Sequence, residues 1–202
     1  MPKDYSNYGR FKNNTDHTIG VSNGVYGSTS YIMDKKDTKA KKSYFFFDDE
    51  IVAVGSDINA SNNNPIHTTI NQAKAKNVMV DGHAVASGIE SQSLNASWIH
   101  NDAIGYVFPN QTDVVVSNGQ QQTMPSLWPD QFKEETPDTF KVWIDHGTKP
   151  QNESYSYIVL PSQNSEATKI IRKCNSYRNC GKFKQGTRSY PSWSKTNTTE
   201  FF

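Results

Sequence analysis

From Ser43 to Leu160 the chain is cut into short β-branched and aromatic runs by clusters of Asp, Asn, Gly and Pro, and this cadence constrains the fold more than any other feature. Runs so short and so regularly punctuated cannot present the three- and four-residue periodicity of a long amphipathic helix, but they suit strands that turn back on one another. The spacing predicts strands over Ser43–Asp48, Glu50–Val54, Ile66–Ile70, Asn77–Val80, His83–Ala86, Ser97–His100, Ile104–Phe108, Asp113–Ser117, Thr139–Asp145 and Ser154–Leu160. Asp81-Gly82 is the strongest hairpin signal, because a type I′ turn needs positive φ at both central residues. Asn101-Asp102 marks a second hairpin, and Asn62-Asn63-Asn64-Pro65 reads as a loop. In the last strand Tyr155, Tyr157 and Val159 alternate with Ser156, Ile158 and Leu160, so both of its faces are expected to be covered. One helix is expected, over Ser165–Lys173, with Ser165 as its cap.

These signals predict an all-β protein, an antiparallel β-sandwich, whose domain occupies residues 19–172. A polar segment (1–18) precedes it and a basic, Ser/Thr/Asn-rich segment (173–202) follows; both read as poorly ordered. With 34% hydrophobic residues in a chain of 202, the core must draw on aromatics, 10 Phe, 10 Tyr and 4 Trp among them. Twenty-one Lys and Arg against twenty Asp and Glu give a net charge of +1, which removes the bulk electrostatic case for a nucleic-acid or membrane-surface protein. No apolar run is long enough to span a bilayer as a helix. The first residues lack the apolar stretch of a secretory signal, so the chain either stays in the cell or has lost its true start. Cys174 and Cys180, with five residues between them, suit a local disulfide or two free thiols equally. Asn-x-Ser/Thr triplets at Asn13, Asn59, Asn95, Asn110, Asn152 and Asn197 suit a secreted glycoprotein or a chance product of an Asn-rich composition.

The run from Ala40 to Ser56, Ala-Lys-Lys-Ser-Tyr-Phe-Phe-Phe-Asp-Asp-Glu-Ile-Val-Ala-Val-Gly-Ser, closely resembles the opening of the central β-sandwich of polysaccharide lyase family 8, the hyaluronate, chondroitin AC and xanthan lyases. Further matches follow in the family's order at Thr68–Gln72, Trp98–Phe108, Trp143–Gly147 and Tyr155–Pro161, and Gly24-Val25-Tyr26-Gly27 looks like its lead-in. The resemblance covers roughly residues 19–165. It implies a galactose-mutarotase-like supersandwich, an extracellular setting, and an acidic, uronic-acid-containing polysaccharide such as a glycosaminoglycan as partner. It also implies a helical toroid preceding the sandwich, whose Asn, His, Tyr and Arg carry out β-elimination. Residues 1–42 cannot hold such a toroid, so no catalytic residue is carried over. The chain alone is expected to be inactive: one wall of a substrate cleft, or alternatively a stand-alone carbohydrate-binding module or pseudoenzyme. The toroid-facing side would be uncovered, and self-association is expected.

Among individual residues, Trp98, His100, Asn101 and Trp128 are the carbohydrate-contacting candidates. Trp98, Tyr106, Trp128 and Trp143 could stack on sugar rings or fill the core. His100-Asn101-Asp102 and Asp145-His146-Gly147 each set an imidazole near a carboxylate in the sequence, which suits proton transfer or loop fixing. Asp48-Asp49-Glu50 suits half of a calcium site or a solvated turn. Lys35, Lys36, Lys39, Lys41 and Lys42 could attract a polyanion or form a solvated loop. No ligand spacing for a metal and no cofactor motif is present, and neither is expected.

Overall fold

The computed structural model describes residues 12–35, 37–121 and 136–174. Among them the strands are β1 (Thr18–Ser22), β2 (Gly27–Lys35), β3 (Thr38–Phe46), β4 (Ile51–Ala60), β5 (Pro65–Lys74), β6 (Met79–Val80), β7 (His83–Ala84), β8 (Ile89–Asn101), β9 (Ile104–Gln120), β10 (Asp138–Thr148) and β11 (Glu153–Pro161), followed by helix α1 (Ser165–Cys174). All pairings are antiparallel. The order β1-β2-β3-β4-β11-β9-β8-β6-β7 forms one path, and β10 and β5 branch from β9.

Strand β9 joins the two wings. Its first residues pair with β11, Ile104 facing Pro161 and Val107 facing Ile158, whereas its last residues pair with β10, Val115 facing Trp143 and Gln120 facing Asp138. Between these stretches Ala96 of β8 faces Thr112 and Trp98 faces Val107, so Ser97 alone stands opposite Phe108–Gln111. Such a bulge bends a strand and tolerates Pro109, which has no N–H to give to a ladder. The sequence reading placed two separate strands here and began β8 only at Ser97; the structure has one continuous β9 and a β8 that starts at Ile89. Pro109 and Asn110 punctuate the sequence without ending the strand.

Strands β1 and β2 and the start of β3 carry no clear apolar alternation, and the sequence reading missed them. Of the lysines read as a solvated loop or a polyanion site, Lys36 lies outside the described residues and the others lie on β2 and β3: Lys39 pairs with Asp34 at 3.3 Å and Lys41 with Asp57 at 2.8 Å. The Asp81-Gly82 turn has φ of 48° and 91°. The Asp81 carboxylate accepts from the Ser97 and Trp98 amides, which pins the small hairpin to β8.

Both faces of β11 are covered. Tyr155 and Tyr157 join the main core with Ala53, Ile58, Tyr106, Phe108, Val116, Phe140 and Val142. Ile158 and Leu160 join a second cluster with Trp98 and Val107, against which Ile171 of α1 packs. Asn164, not Ser165, caps α1: its Oδ1 accepts from the Ala167 amide at 2.8 Å, the N-cap-to-N3 bond that satisfies an otherwise orphaned helix donor. The helix seats where β9 has no side chain. A Cβ on Gly105 would lie 2.3 Å from the Thr168 hydroxyl, and Thr168 is fully buried.

Candidate functional site

Cross-strand register on the β2–β3–β4–β11 sheet builds an unusual surface. Residues directly opposite one another share a face, so Tyr31, Lys42, Gly55 and Tyr155 form one row, and Thr29, Tyr44, Ala53 and Tyr157 form the next. The small residues of β4 make room for the rings. A Cβ on Gly55 would fall 2.1 Å from the Tyr155 ring, which lies over that glycine. Tyr155 and Tyr157 stack with centroids 5.7 Å apart, and Tyr106 packs beside Phe140. Asn71 of β5 donates its amide to the Tyr106 hydroxyl, tying the second wing to the tyrosine face.

The hydroxyls stay protonated far above neutrality. Burial, reinforced by neighbouring tyrosines, pushes Tyr157 up to about 12 and raises Tyr155 further; Tyr31 is raised by burial and by Tyr44, and Tyr106 by burial. Burial lowers the pKa of Lys42, which is half-buried. His146 of β10 shares a 2.8 Å hydrogen bond with Thr68 of β5. Burial holds its pKa below the usual value; Glu153 and Asp145 oppose this, while His67 and Lys42 add to it. Tyr106, Tyr155 and Tyr157 are buried in the main core, so the face presents the half-buried Tyr31 and Tyr44 hydroxyls and the Lys42 ammonium group beside an imidazole held below its usual pKa. That is equipment for holding a hydroxyl-rich acidic ligand, with tyrosines as donors rather than bases.

The residues singled out from the sequence are placed elsewhere. Trp98 and His100 are each 5% exposed and Asn101 is 3% exposed, which leaves none of them a surface for a saccharide ring within these described residues. Trp98 sits in the cluster under α1. Asn101 accepts from the Lys76 amide at 2.9 Å and donates to the Lys74 carbonyl at 3.0 Å, fastening the β8–β9 turn to the end of β5. His100 Nε2 donates to the Gln163 carbonyl at 3.0 Å. Since a carbonyl only accepts, Nε2 holds the proton, and the buried Nδ1 has no partner among the described residues. Trp128 lies outside the described residues, as does Cys180; of Cys174 the backbone alone is described.

Sequence neighbours did not become partners in space. Asp102 pairs with Lys76 at 2.7 Å rather than with His100, and Asp145 reaches His67 at 3.4 Å and the Gly147 amide at 2.8 Å rather than His146. Among the described residues no group of three or more His, Cys, Asp or Glu is placed to hold a metal. Tyr31, Tyr44, Tyr155 and Tyr157 were missed as a set. The available signal was the alternation of Tyr155 and Tyr157 opposite the small residues Ala53 and Gly55, but reading it requires the strand register.

A second feature is a shallow depression of about 550 Å³ at the β1–β2 turn, lined by Val21, Val25, Tyr26 and Phe46 among others. It lies at the apolar end of the sheet, where Ile19, Val21, Val25 and Phe46 are exposed, one row beyond Thr29 and Tyr44 and without a charged lining residue.

Comparison with known proteins places this architecture. The family model described as polysaccharide lyase family 8, super-sandwich domain, matches residues 2–170. The chain is 37% identical over 157 residues to the chondroitinase-AC of Pedobacter heparinus, covering 74% of this chain and 22% of that protein. It is 33% identical over 165 residues to a xanthan lyase of a Bacillus species, covering 70% and 17%. A solved chondroitinase AC lyase superposes with a TM-score of 0.71 at 36% identity, over 79% of this chain and 24% of that one. A Paenibacillus xanthan lyase gives 0.68 at 29% identity, over 75% and 16%. The chain thus spans less than a quarter of the length of these relatives.

Proposed function

The chain belongs to polysaccharide lyase family 8, as its super-sandwich domain, and from that premise we propose that it is the sandwich portion of a lyase acting on acidic, uronic-acid-containing polysaccharides. The sandwich forms one wall of the substrate cleft. A helical domain supplies the groups that move protons, and the polymer is cut by β-elimination. That reaction needs a group to neutralise the uronate carboxylate, a base for the C5 proton and an acid for the leaving oxygen. The tyrosine face offers a cation and hydroxyl donors, while its imidazole is engaged by Thr68. The sandwich contributes binding and shape to this division of labour.

One observation carries the reading: similarity runs through the whole sandwich to enzymes named as lyases of chondroitin and xanthan. Two measurements test it. The chain of 202 residues alone should release no unsaturated uronate product from chondroitin or hyaluronan, followed by ultraviolet absorbance. Grafted in place of the matching segment of the Pedobacter heparinus chondroitinase-AC, it should restore product release to within about tenfold of the parent, a change of about 1.4 kcal/mol in the barrier. A chimera that melts cooperatively as a monomer yet stays inert would sink the proposal, as would steady turnover by the isolated chain.

A further inference from the structure

We propose that Lys42, framed by Tyr31 and Tyr44, is the contact point for the carboxylate of a uronic-acid residue of the polysaccharide. The inference rests on the lyase reading above and locates a binding position within it.

Other lysines of the structure have carboxylate partners. Lys39 is paired with Asp34, Lys41 with Asp57 and Lys76 with Asp102. Lys42 is half-buried and makes no ion pair or hydrogen bond among the described residues. An ammonium group taken partly out of water without a counter-charge is unfavourable, so an uncompensated one facing hydroxyl donors marks a place where an anion is received. Geometry supplies the rest of the receptor. Tyr31 stands directly across from Lys42 on β2, and Tyr44 lies two residues along β3 on the same face; both are half-buried. An ammonium with rotatable donors suits a carboxylate, and the phenol groups can donate to its oxygens or to ring hydroxyls. Lys41, the adjacent residue, projects from the opposite face toward Asp57, so charge on this face rests on Lys42. His146, which feels the charge of Lys42, also feels the carboxylates of Glu153 and Asp145. Of these, Asp145 is engaged by Gly147 and His67.

The test titrates the chain of 202 residues with a hyaluronan hexasaccharide and, in parallel, with its carboxyl-reduced neutral form. The wild-type chain should prefer the acidic sugar. Lys42→Met should weaken acidic binding by about tenfold or more, equivalent to about 1.4 kcal/mol, and leave neutral binding unchanged. Lys42→Arg should retain most of the affinity, and Lys41→Met all of it. Because Lys42→Met removes an uncompensated charge, its melting temperature should equal or exceed that of the wild type, so lost binding cannot be ascribed to unfolding. Wild-type affinity in Lys42→Met, or equal binding of both sugars by the wild-type chain, overturns the Lys42 assignment and leaves the lyase reading standing. Loss of self-association rather than of glycan binding in that variant also overturns it, assigning the face to contact between copies. Failure of the wild-type chain to bind either sugar removes the cleft-wall reading and the Lys42 site together.

Discussion

The two faces of the β2–β3–β4–β11 sheet come from the same strands and the same alternation, yet they are finished in opposite ways. On one face Val52 and Ile158 meet Val107, Leu160 and Trp98 beneath α1, an aliphatic layer with few polar atoms to satisfy. On the other, Tyr31, Tyr44, Tyr155 and Tyr157 surround Lys42, and hydroxyls replace methyl groups. Each face depends on a glycine where a neighbour must come close: Gly105 under Thr168 on the helix side, and Gly55 under Tyr155 on the other. A missing side chain thus positions the helix in one layer and an aromatic cluster in the other. The second layer keeps half-buried polar side chains, Tyr31, Lys42 and Tyr44.

The largest effect should come from filling the helix seat. Gly105→Val should destabilise the protein by about 3 kcal/mol, because Thr168 is fully buried and cannot move without lifting α1. Chemical denaturation would measure the loss, and added helix exposure would appear in hydrogen exchange. Gly55→Ala should cost less, about 2 kcal/mol, because it adds one carbon where valine at 105 adds three; the buried Tyr155 ring would have to tilt, and loss of the Tyr155–Tyr157 stacking signature in near-ultraviolet circular dichroism would accompany it. Equal costs at both glycines would show the helix seat to be no tighter than the seat of the Tyr155 ring.

Smaller still is Asn164→Ala. Losing the cap should cost about 1 kcal/mol and leave the tyrosine face untouched; a change in tyrosine fluorescence would show the faces to be coupled.

The tyrosine face alone should respond to alkali. A hydroxyl whose folded pKa is raised contributes stability that is fully present below its unfolded value and is lost as pH climbs through the folded one. For Tyr157 that window runs from 10.0 to about 12. Tyr157→Phe should therefore flatten the fall in stability above pH 10 and leave the neutral-pH dependence unaltered. An unchanged alkaline limb in denaturant titrations at stepped pH would contradict the burial assigned to that hydroxyl.

Much of the sandwich was readable because its turns are local chemistry. Asp81-Gly82 declares a hairpin wherever it occurs, and the motif from Ala40 to Ser56 carried the family. What misled the strand reading was equally local. Pro109 and Asn110 resemble a break, but a bulge absorbs them within β9, and Ser165 resembles a cap one residue late because Asn164 serves as well. Trp98, His100 and Asn101 attracted attention as aromatic and polar types, and the fold spends all three on internal fastening. Lys42 was one of five lysines in a cluster, indistinguishable from Lys41 until register put them on opposite faces.

The sequence by itself determined most of the strands after β2, the tight turns and membership of a lyase family, because each rests on residues that are neighbours or ordered motifs along the chain. Tertiary structure decided which tyrosines share a face, that Lys41 and Lys42 stand on opposite faces and which glycine lies under a ring. Those properties belong to contacts across strands, where a shift of one residue in register would move every side chain to the other side of the sheet.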